Sequence, residues 1–230
     1  PILDIGWADG ICLAYGQTLS GYLFIDLLRD LMRLPPGASS DETSQYLTDF
    51  CQNIFGTERL EATYPYLARF MGLPLEDTFA QRVEGLSGES LRWQVFEVIR
   101  EMIALLVKER PLVLTLDDLQ WADPTSMQLL EDLLPLAAEG KLVFLLAMRP
   151  ERESRAWALR ELLRKKGLSI IAFPSAAQVD TPNFSALSAD GEGTTLPHLS
   201  LTLGPLQRAS AATLIDHFAP SLPDRMIDYL

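Results

Sequence analysis

Residues 112–123 read Leu112-Val113-Leu114-Thr115-Leu116-Asp117-Asp118-Leu119-Gln120-Trp121-Ala122-Asp123, and no other segment of the chain is as informative. Its first five residues are almost all apolar and have the length of a β-strand. Such a run is typical of a strand buried on both faces, as in a parallel sheet. The two neighbouring aspartates come where the run stops. The segment therefore predicts a buried parallel strand that ends in two carboxylates.

Asp117 and Asp118 are candidate site residues because ligands bind at the carboxyl edge of an open parallel sheet. An acid at that edge can hold Mg²⁺ against nucleotide phosphates, and a second acid can orient or deprotonate an attacking water. The alternative is a strand that simply ends in a solvated Asp-Asp turn. A glycosidase pair fits poorly, because adjacent strand residues point to opposite faces unless the strand ends there.

The residues that follow the two acids favour a site over a plain turn. Leu119-Gln120-Trp121-Ala122-Asp123-Pro124 resembles the segment after the Walker B acids in STAND-class ATPases, the signal-transduction ATPases with numerous domains. The resemblance implies ATP and Mg²⁺ as cofactors, with Asp117 in the magnesium role and Asp118 as the base that orients water. It also implies that slow hydrolysis serves as a conformational switch.

A second apolar run, residues 142–147, is followed by Arg149. Between the two runs, Asp123 is a strong N-cap with Pro124 at the first helical position, which predicts a helix to about Ala138. Strand, helix and strand in this order predict two neighbouring parallel strands joined by a right-handed crossover. The second run resembles the sensor-1 strand of the same family, which implies that Arg149 contacts the γ-phosphate. The alternative is a surface arginine at the start of a loop.

The remaining patterns extend this unit in both directions. Apolar spacing and turn residues predict strands at 8–13, 168–173 and 198–203, and helices at 22–34, 41–55, 60–71, 153–166 and 207–218. Residues 86–89 form a loop and start signal for a further long helix that reaches about Glu109. Residues 10–17 and 24–29 resemble the segment after the P-loop helix in ATPase domains attached to bacterial nucleotide cyclases and LuxR-type regulators. Residues 201–206 resemble the last core strand of those domains. The predicted fold is α/β, a three-layer, AAA-like P-loop NTPase with a parallel sheet flanked by helices, truncated at both ends.

The glycine-rich phosphate loop of such a fold is missing from the sequence. A Walker A loop has the form Gly-x-x-x-x-Gly-Lys-Ser/Thr, and in this family it precedes the Walker B strand. No lysine precedes Lys108, and residues 85–88 supply glycines without a lysine. We therefore expect the Walker A strand and helix upstream of Pro1. The expected domains are a partial ATPase core at 1–206 with a flexible insertion at 174–197, and the start of a truncated helical lid at 207–230.

Charge and composition exclude several classes of function. The chain has 31 acidic and 19 basic residues, a net charge of −12, and such a surface repels a phosphate backbone. Direct nucleic-acid binding by this region is therefore not expected. No apolar run reaches the roughly 18 residues of a membrane span, and the first ten residues lack the basic cluster of a signal peptide. Cys12 and Cys51 have neither metal-ligand spacing nor the density of a disulfide scaffold, which indicates reduced packing residues in a cytoplasmic protein.

These features lead to one functional hypothesis and one rival. The hypothesis is an ATP-binding and hydrolysing switch domain of a larger multidomain regulator, with this region inactive alone because it has no Walker A lysine. The expected partners are the nucleotide, other domains of the same chain (a cyclase, a helix-turn-helix or helical repeats), and further copies through ATP-dependent self-association. The rival is a degenerate scaffold or protein-interaction module in a cyclase or transcription regulator, which keeps the fold for partner binding without hydrolysis. An upstream Gly-Lys-Ser/Thr motif would distinguish the two.

Overall fold

The computed structural model of the chain describes residues 4–14, 19–139, 141–149 and 151–165. Within these ranges, three parallel strands form one sheet in the order β1 (Gly6–Ile11), β2 (Leu112–Asp117) and β3 (Leu142–Leu146). The helices are α1 (Tyr22–Leu31), α2 (Ser40–Phe55), α3 (Leu60–Phe70), α4 (Asp77–Val83), α5 (Gly88–Glu109), α6 (Pro124–Leu133) and α7 (Arg155–Lys165). This arrangement confirms the predicted α/β fold with a parallel sheet flanked by helices. None of the helices in the described ranges is long and apolar enough to cross a bilayer.

Three elements differ from the sequence predictions. β1 lies two residues earlier than predicted, because its register with β2 ends where Ile11 faces Asp117. The helix after β2 is α-helical only to Leu133 and continues as a 3₁₀ helix, Leu134–Glu139. Pro135 explains the change, since proline has no N–H to donate to the carbonyl four residues before it. The short helix α4 is not predicted by any pattern.

Several predicted elements lie outside the described residues. They are the strands at 168–173 and 198–203, the helix at 207–218 and the insertion at 174–197. The boundary between the predicted domains 1–206 and 207–230 lies there as well.

One face of the sheet packs on the core. Ala8 of β1 and Leu114 and Leu116 of β2 alternate along their strands and are fully buried. Helix α1 packs against β1 and buries Leu23 and Phe24. The period of two in the burial of β2 therefore follows from helices that cover one side of the sheet.

The opposite face, which we call the exposed sheet face, is only partly buried in the described ranges. Trp7, Val113 and Val143 lie in register across the three strands, and Leu145 follows two residues further along β3. Trp7 is 46% exposed, Val143 49% and Leu145 43%. Strands of a parallel sheet are ordinarily buried on both faces. The sequence of β3 is therefore suited to more burial than the described residues give it.

The outer edge of β1 is closed by side chains of α1 and the turn that follows it. The Asp9 N–H donates to Asp30 Oδ2 and the Ile11 N–H donates to Asp26 Oδ2, both at 3.0 Å. Arg33 Nη2 donates to the Trp7 carbonyl at 2.8 Å. These contacts occupy the backbone groups that an additional strand would need. The sheet is therefore closed beside β1, whereas β3 has a strand neighbour only on its β2 side in the described structure.

Two glycines with the same backbone conformation test the packing at the start of α1. Gly21 and Gly37 both have a φ of 79°. A Cβ at Gly21 would overlap the ring of Phe70, whereas a Cβ at Gly37 would meet nothing within 4 Å. Either Gly→Ala change places an L residue in the left-handed region, at about 1–2 kcal/mol. At Gly21, overpacking adds typically about 1–3 kcal/mol. We expect Gly21→Ala to lower the urea midpoint clearly more than Gly37→Ala, and equal losses would contradict the contact with Phe70.

Candidate functional site

Asp117 is the last residue of β2 and lies at the carboxyl end of the middle strand. It occupies the same face as Val113, which is the exposed sheet face, and its side chain is exposed. Its Oδ1 accepts a hydrogen bond of 2.7 Å from the Asp118 N–H. That contact fixes the carboxylate at the strand end. A single exposed carboxylate in this position suits Mg²⁺, which is usually held by one or two carboxylates together with substrate phosphates and water.

Asp118 has a left-handed backbone, with φ 55° and ψ 36°. In the described ranges, Arg33 is the one other residue besides glycine with a positive φ. Aspartate tolerates this region better than most residues do, because its short polar side chain can bond locally. The conformation ends β2 and turns the chain into the 3₁₀ helix Leu119–Trp121. Unusual backbone conformations of this kind are frequent at functional sites.

Gln120 lies in this 3₁₀ turn and is 7% exposed. Its Nε2 donates to Asp118 Oδ1 at 2.8 Å, and its Oε1 accepts a hydrogen bond of 2.9 Å from the Arg149 N–H. The side chain therefore links the second acid of β2 to the segment after β3. No sequence pattern assigns a role to Gln120, although an amide side chain between Leu119 and Trp121 indicates that it has polar partners.

Arg149 lies just after β3, which is parallel to β2 and adjacent to it, as predicted. Arg149 and the two aspartates therefore follow the carboxyl ends of neighbouring strands. The Arg149 side chain is exposed, and its Cζ lies 5.1 Å from the ring centroid of Trp121, a cation–π contact. Among the described residues, no hydrogen bond or ion pair joins Arg149 to the carboxylate of Asp117 or Asp118, so the link to Asp118 runs through Gln120.

Asp123 is the N-cap of α6, as predicted, and is 3% exposed. Its Oδ1 accepts hydrogen bonds from the N–H groups of Thr125 and Ser126, and its Oδ2 accepts from Ser126 Oγ. The same Oδ1 also accepts a bond of 2.9 Å from the Gly21 N–H, immediately before α1. Beside it, the hydroxyls of Ser20 and Thr125 are 2.7 Å apart. Asp123 thus joins the segment after β1 to the segment after β2.

Both cysteines are free and buried, as expected for packing residues. Cys12 follows β1, and its N–H donates to the Asp117 carbonyl at 3.0 Å. Burial, followed by the nearby carboxylates of Asp123, Asp118, Asp117 and Asp26, raises the pKa of the Cys12 thiol to about 12. Burial also raises the pKa of the Cys51 thiol to about 12. Both thiols are therefore protonated near neutral pH and are poor nucleophiles.

A cleft of about 510 Å³ lies beside Gln120 and is lined further by Glu151, Arg152, Glu153 and Ser154. It opens at the end of the sheet where the site residues lie. In the described ranges, no group of three or more His, Cys, Asp or Glu side chains could enclose a metal ion. A divalent cation at Asp117 would accordingly need ligands from a bound substrate and from water.

A family model described as an AAA ATPase domain matches residues 5–146, which is more than half of the chain. The matched region runs from β1 to the end of β3 and includes both aspartates. No curated protein and no solved structure gave a match.

The left-handed backbone of Asp118 can be tested without any ligand. Asp118→Asn keeps an oxygen acceptor for Gln120 Nε2 and a residue that tolerates this conformation. Asp118→Ala removes the acceptor and leaves alanine in an unfavourable backbone region. We expect Asp118→Ala to lower the free energy of unfolding by about 1–3 kcal/mol and Asp118→Asn to lower it by less than about 1 kcal/mol. Chemical unfolding of both variants measures the difference, and equally stable variants would contradict it.

Proposed function

Because the chain belongs to the AAA ATPase domain family, we propose that the carboxyl edge of β2 and β3 is the ATP site of a signal-transduction switch. Membership makes the chain a nucleotide-binding, ATPase-type module. One observation carries the assignment of the site: Asp117, Asp118 and Arg149 follow adjacent parallel strands at the edge where ligands of such sheets bind.

We assign the three residues different roles. Asp117, exposed at the end of β2, would hold Mg²⁺, which neutralises phosphate charge when bound. Asp118 is held by Gln120 and would orient the attacking water and accept its proton. Arg149 has an exposed guanidinium that would pair with the γ-phosphate through charge-assisted hydrogen bonds. That pairing would replace its cation–π contact with Trp121.

The phosphate cradle must come from residues other than those described. No Gly-x-x-x-x-Gly-Lys-Ser/Thr motif occurs in the 230 residues. Backbone N–H groups and the lysine of such a loop supply most contacts to the phosphates. We propose that a strand–loop–helix unit carrying this motif lies upstream, extends the sheet beside β3 and covers part of the exposed sheet face. The apolar exposed side chains of Val143 and Leu145 support this location, as does the closed edge of β1.

The domain arrangement and cellular context belong to the same proposal. Residues 1–206 would form the partial ATPase core with a flexible insertion at 174–197, and residues 207–230 would begin a helical lid. The protein would be a cytoplasmic, STAND-class regulator of the kind attached to a cyclase, a helix-turn-helix or helical repeats. Its nucleotide state would control self-association. The net charge of −12 supports partners other than nucleic acid for this region.

A non-hydrolysing scaffold is the second candidate function, and the missing lysine motif favours it. A scaffold would keep the sheet and helices for partner binding, and Asp118 would have no catalytic role in it. The two candidates therefore differ in what a change of Asp118 does to the longer protein.

The first test uses protein extended upstream to include the proposed phosphate loop. Asp117→Ala should weaken Mg²⁺-dependent ATP binding, because it removes the carboxylate that would hold the cation. Asp118→Asn should leave ATP binding within about threefold and lower the hydrolysis rate on the order of a hundredfold, since only the second acid acts on water. Isothermal titration and single-turnover hydrolysis measure the two effects separately. The 230-residue chain should give no thermal shift at millimolar ATP. No ATP binding by the extended wild type would favour the scaffold.

The second test concerns the upstream unit itself. Hydrogen exchange of the β3 amides that face away from β2 should be fast in the 230-residue chain. In the extended protein the same amides should exchange at least tenfold more slowly, because a hydrogen-bonded neighbouring strand protects them. The Asp9 and Ile11 amides are the matched control, since Asp30 and Asp26 already occupy them. Unchanged exchange in β3 would contradict the proposed location of the upstream strand.

A further inference from the structure

We propose that Gln120 is a positioning residue that couples the carboxylate of Asp118 to Arg149, an inference that rests on the proposed ATPase function. The two site residues share no direct contact, yet one buried side chain bonds to both. A shift of the Arg149 backbone would therefore act on Asp118 through Gln120.

The orientation of the Gln120 amide is determined by its partners. Its Nε2 faces a carboxylate oxygen of Asp118, which can only accept, and its Oε1 faces the N–H of Arg149, which can only donate. Rotating the amide by half a turn would place oxygen against oxygen and N–H against N–H. A buried amide in two mismatched contacts is unfavourable. The side chain is thus held in one orientation, as a positioning residue requires.

The turn that carries Gln120 is joined to the end of β3 by three consecutive residues. The Leu119 N–H donates to the Ala147 carbonyl at 3.1 Å. Gln120 bonds the backbone of Arg149, and Trp121 contacts its guanidinium. Arg149 is therefore held at both its backbone and its side chain. The cation–π contact with the exposed side chain is the weaker of the two and the one a phosphate could replace.

Gln120 also lies next to open space. It lines the cleft that continues along Glu151–Ser154, the residues that follow Arg149 and lead to α7. A shift of this segment would alter the backbone position of Arg149 and hence the bond to Gln120. In the described ranges, Gln120 is the residue whose side chain connects the carboxylate of Asp118 to the segment after β3.

Three substitutions separate the two hydrogen bonds of Gln120. Gln120→Met keeps the approximate volume and removes both bonds. Gln120→Glu keeps an acceptor for the Arg149 N–H and places a negative charge against Asp118. Gln120→His supplies one donor and one acceptor again, because a neutral imidazole donates from one ring nitrogen and accepts at the other.

The test measures ATP affinity and single-turnover hydrolysis of these variants in the full-length protein. We expect Gln120→Met and Gln120→Glu to lower the hydrolysis rate on the order of tenfold or more while ATP affinity changes less than about threefold. Gln120→His should recover most of the rate. An unchanged rate in Gln120→Met, an equal loss of affinity and rate, or no recovery with histidine would overturn the positioning role.

A second readout distinguishes failure of this inference from failure of the proposed function. Hydrogen exchange of the Arg149 amide in the 230-residue chain requires no nucleotide. It should be faster in Gln120→Met and close to wild type in Gln120→Glu, which retains the acceptor. If the full-length wild type hydrolyses ATP but Arg149 exchange is the same in all variants, the inference falls and the function stands. If the wild type neither binds nor hydrolyses ATP, the function falls and the coupling role falls with it.

Discussion

The buried carboxylate of Asp123 is the interaction on which the arrangement of the site depends. A charge with so little exposure is stable only where donors replace water, and backbone and side-chain groups of two segments do so here. The N–H of Gly21 fixes the start of α1, and those of Thr125 and Ser126 fix the start of α6. The turn between Asp118 and Asp123 is therefore fixed by hydrogen bonds at both of its ends, and the starts of α1 and α6 beside it are fixed as well. Gln120 and Trp121 project from a turn with little freedom to move.

The local parts of this arrangement could be predicted from sequence. The apolar run of β2, the acids that end it and the Asp123 cap are patterns within twelve residues, and each depends on neighbours in the chain. The parallel pairing of β2 with β3 follows from the short helical crossover between them. The roles of Asp117, Asp118 and Arg149 remain predictions, because their positions do not reveal which ligand they meet.

Contacts between distant segments could not be predicted in the same way. The Gln120–Arg149 bond and the Asp123–Gly21 bond join residues far apart in sequence, and neither leaves a periodic signal. The predicted position of β1 is two residues too late, because strand ends depend on the register with the partner strand, which the apolar pattern of β1 alone does not contain. The difference in burial between the two faces of the sheet could not be predicted for a related reason. A continuous apolar run such as β3 has the same sequence pattern whether one face or both faces of the strand are buried.

The closed edge of β1 has a consequence for the way this chain can self-associate. Sheets that expose backbone groups at both edges can add copies without limit, which leads to fibres. In the sheet of the described residues, Asp26, Asp30 and Arg33 occupy one edge, so that edge-to-edge pairing is left to the β3 side. When two copies pair through their β3 strands, both β3 edges are occupied and a third copy cannot add to the sheet. Edge-to-edge pairing of the described sheet would therefore stop at a symmetric pair, because the acidic side chains of α1 occupy the amides at its other edge.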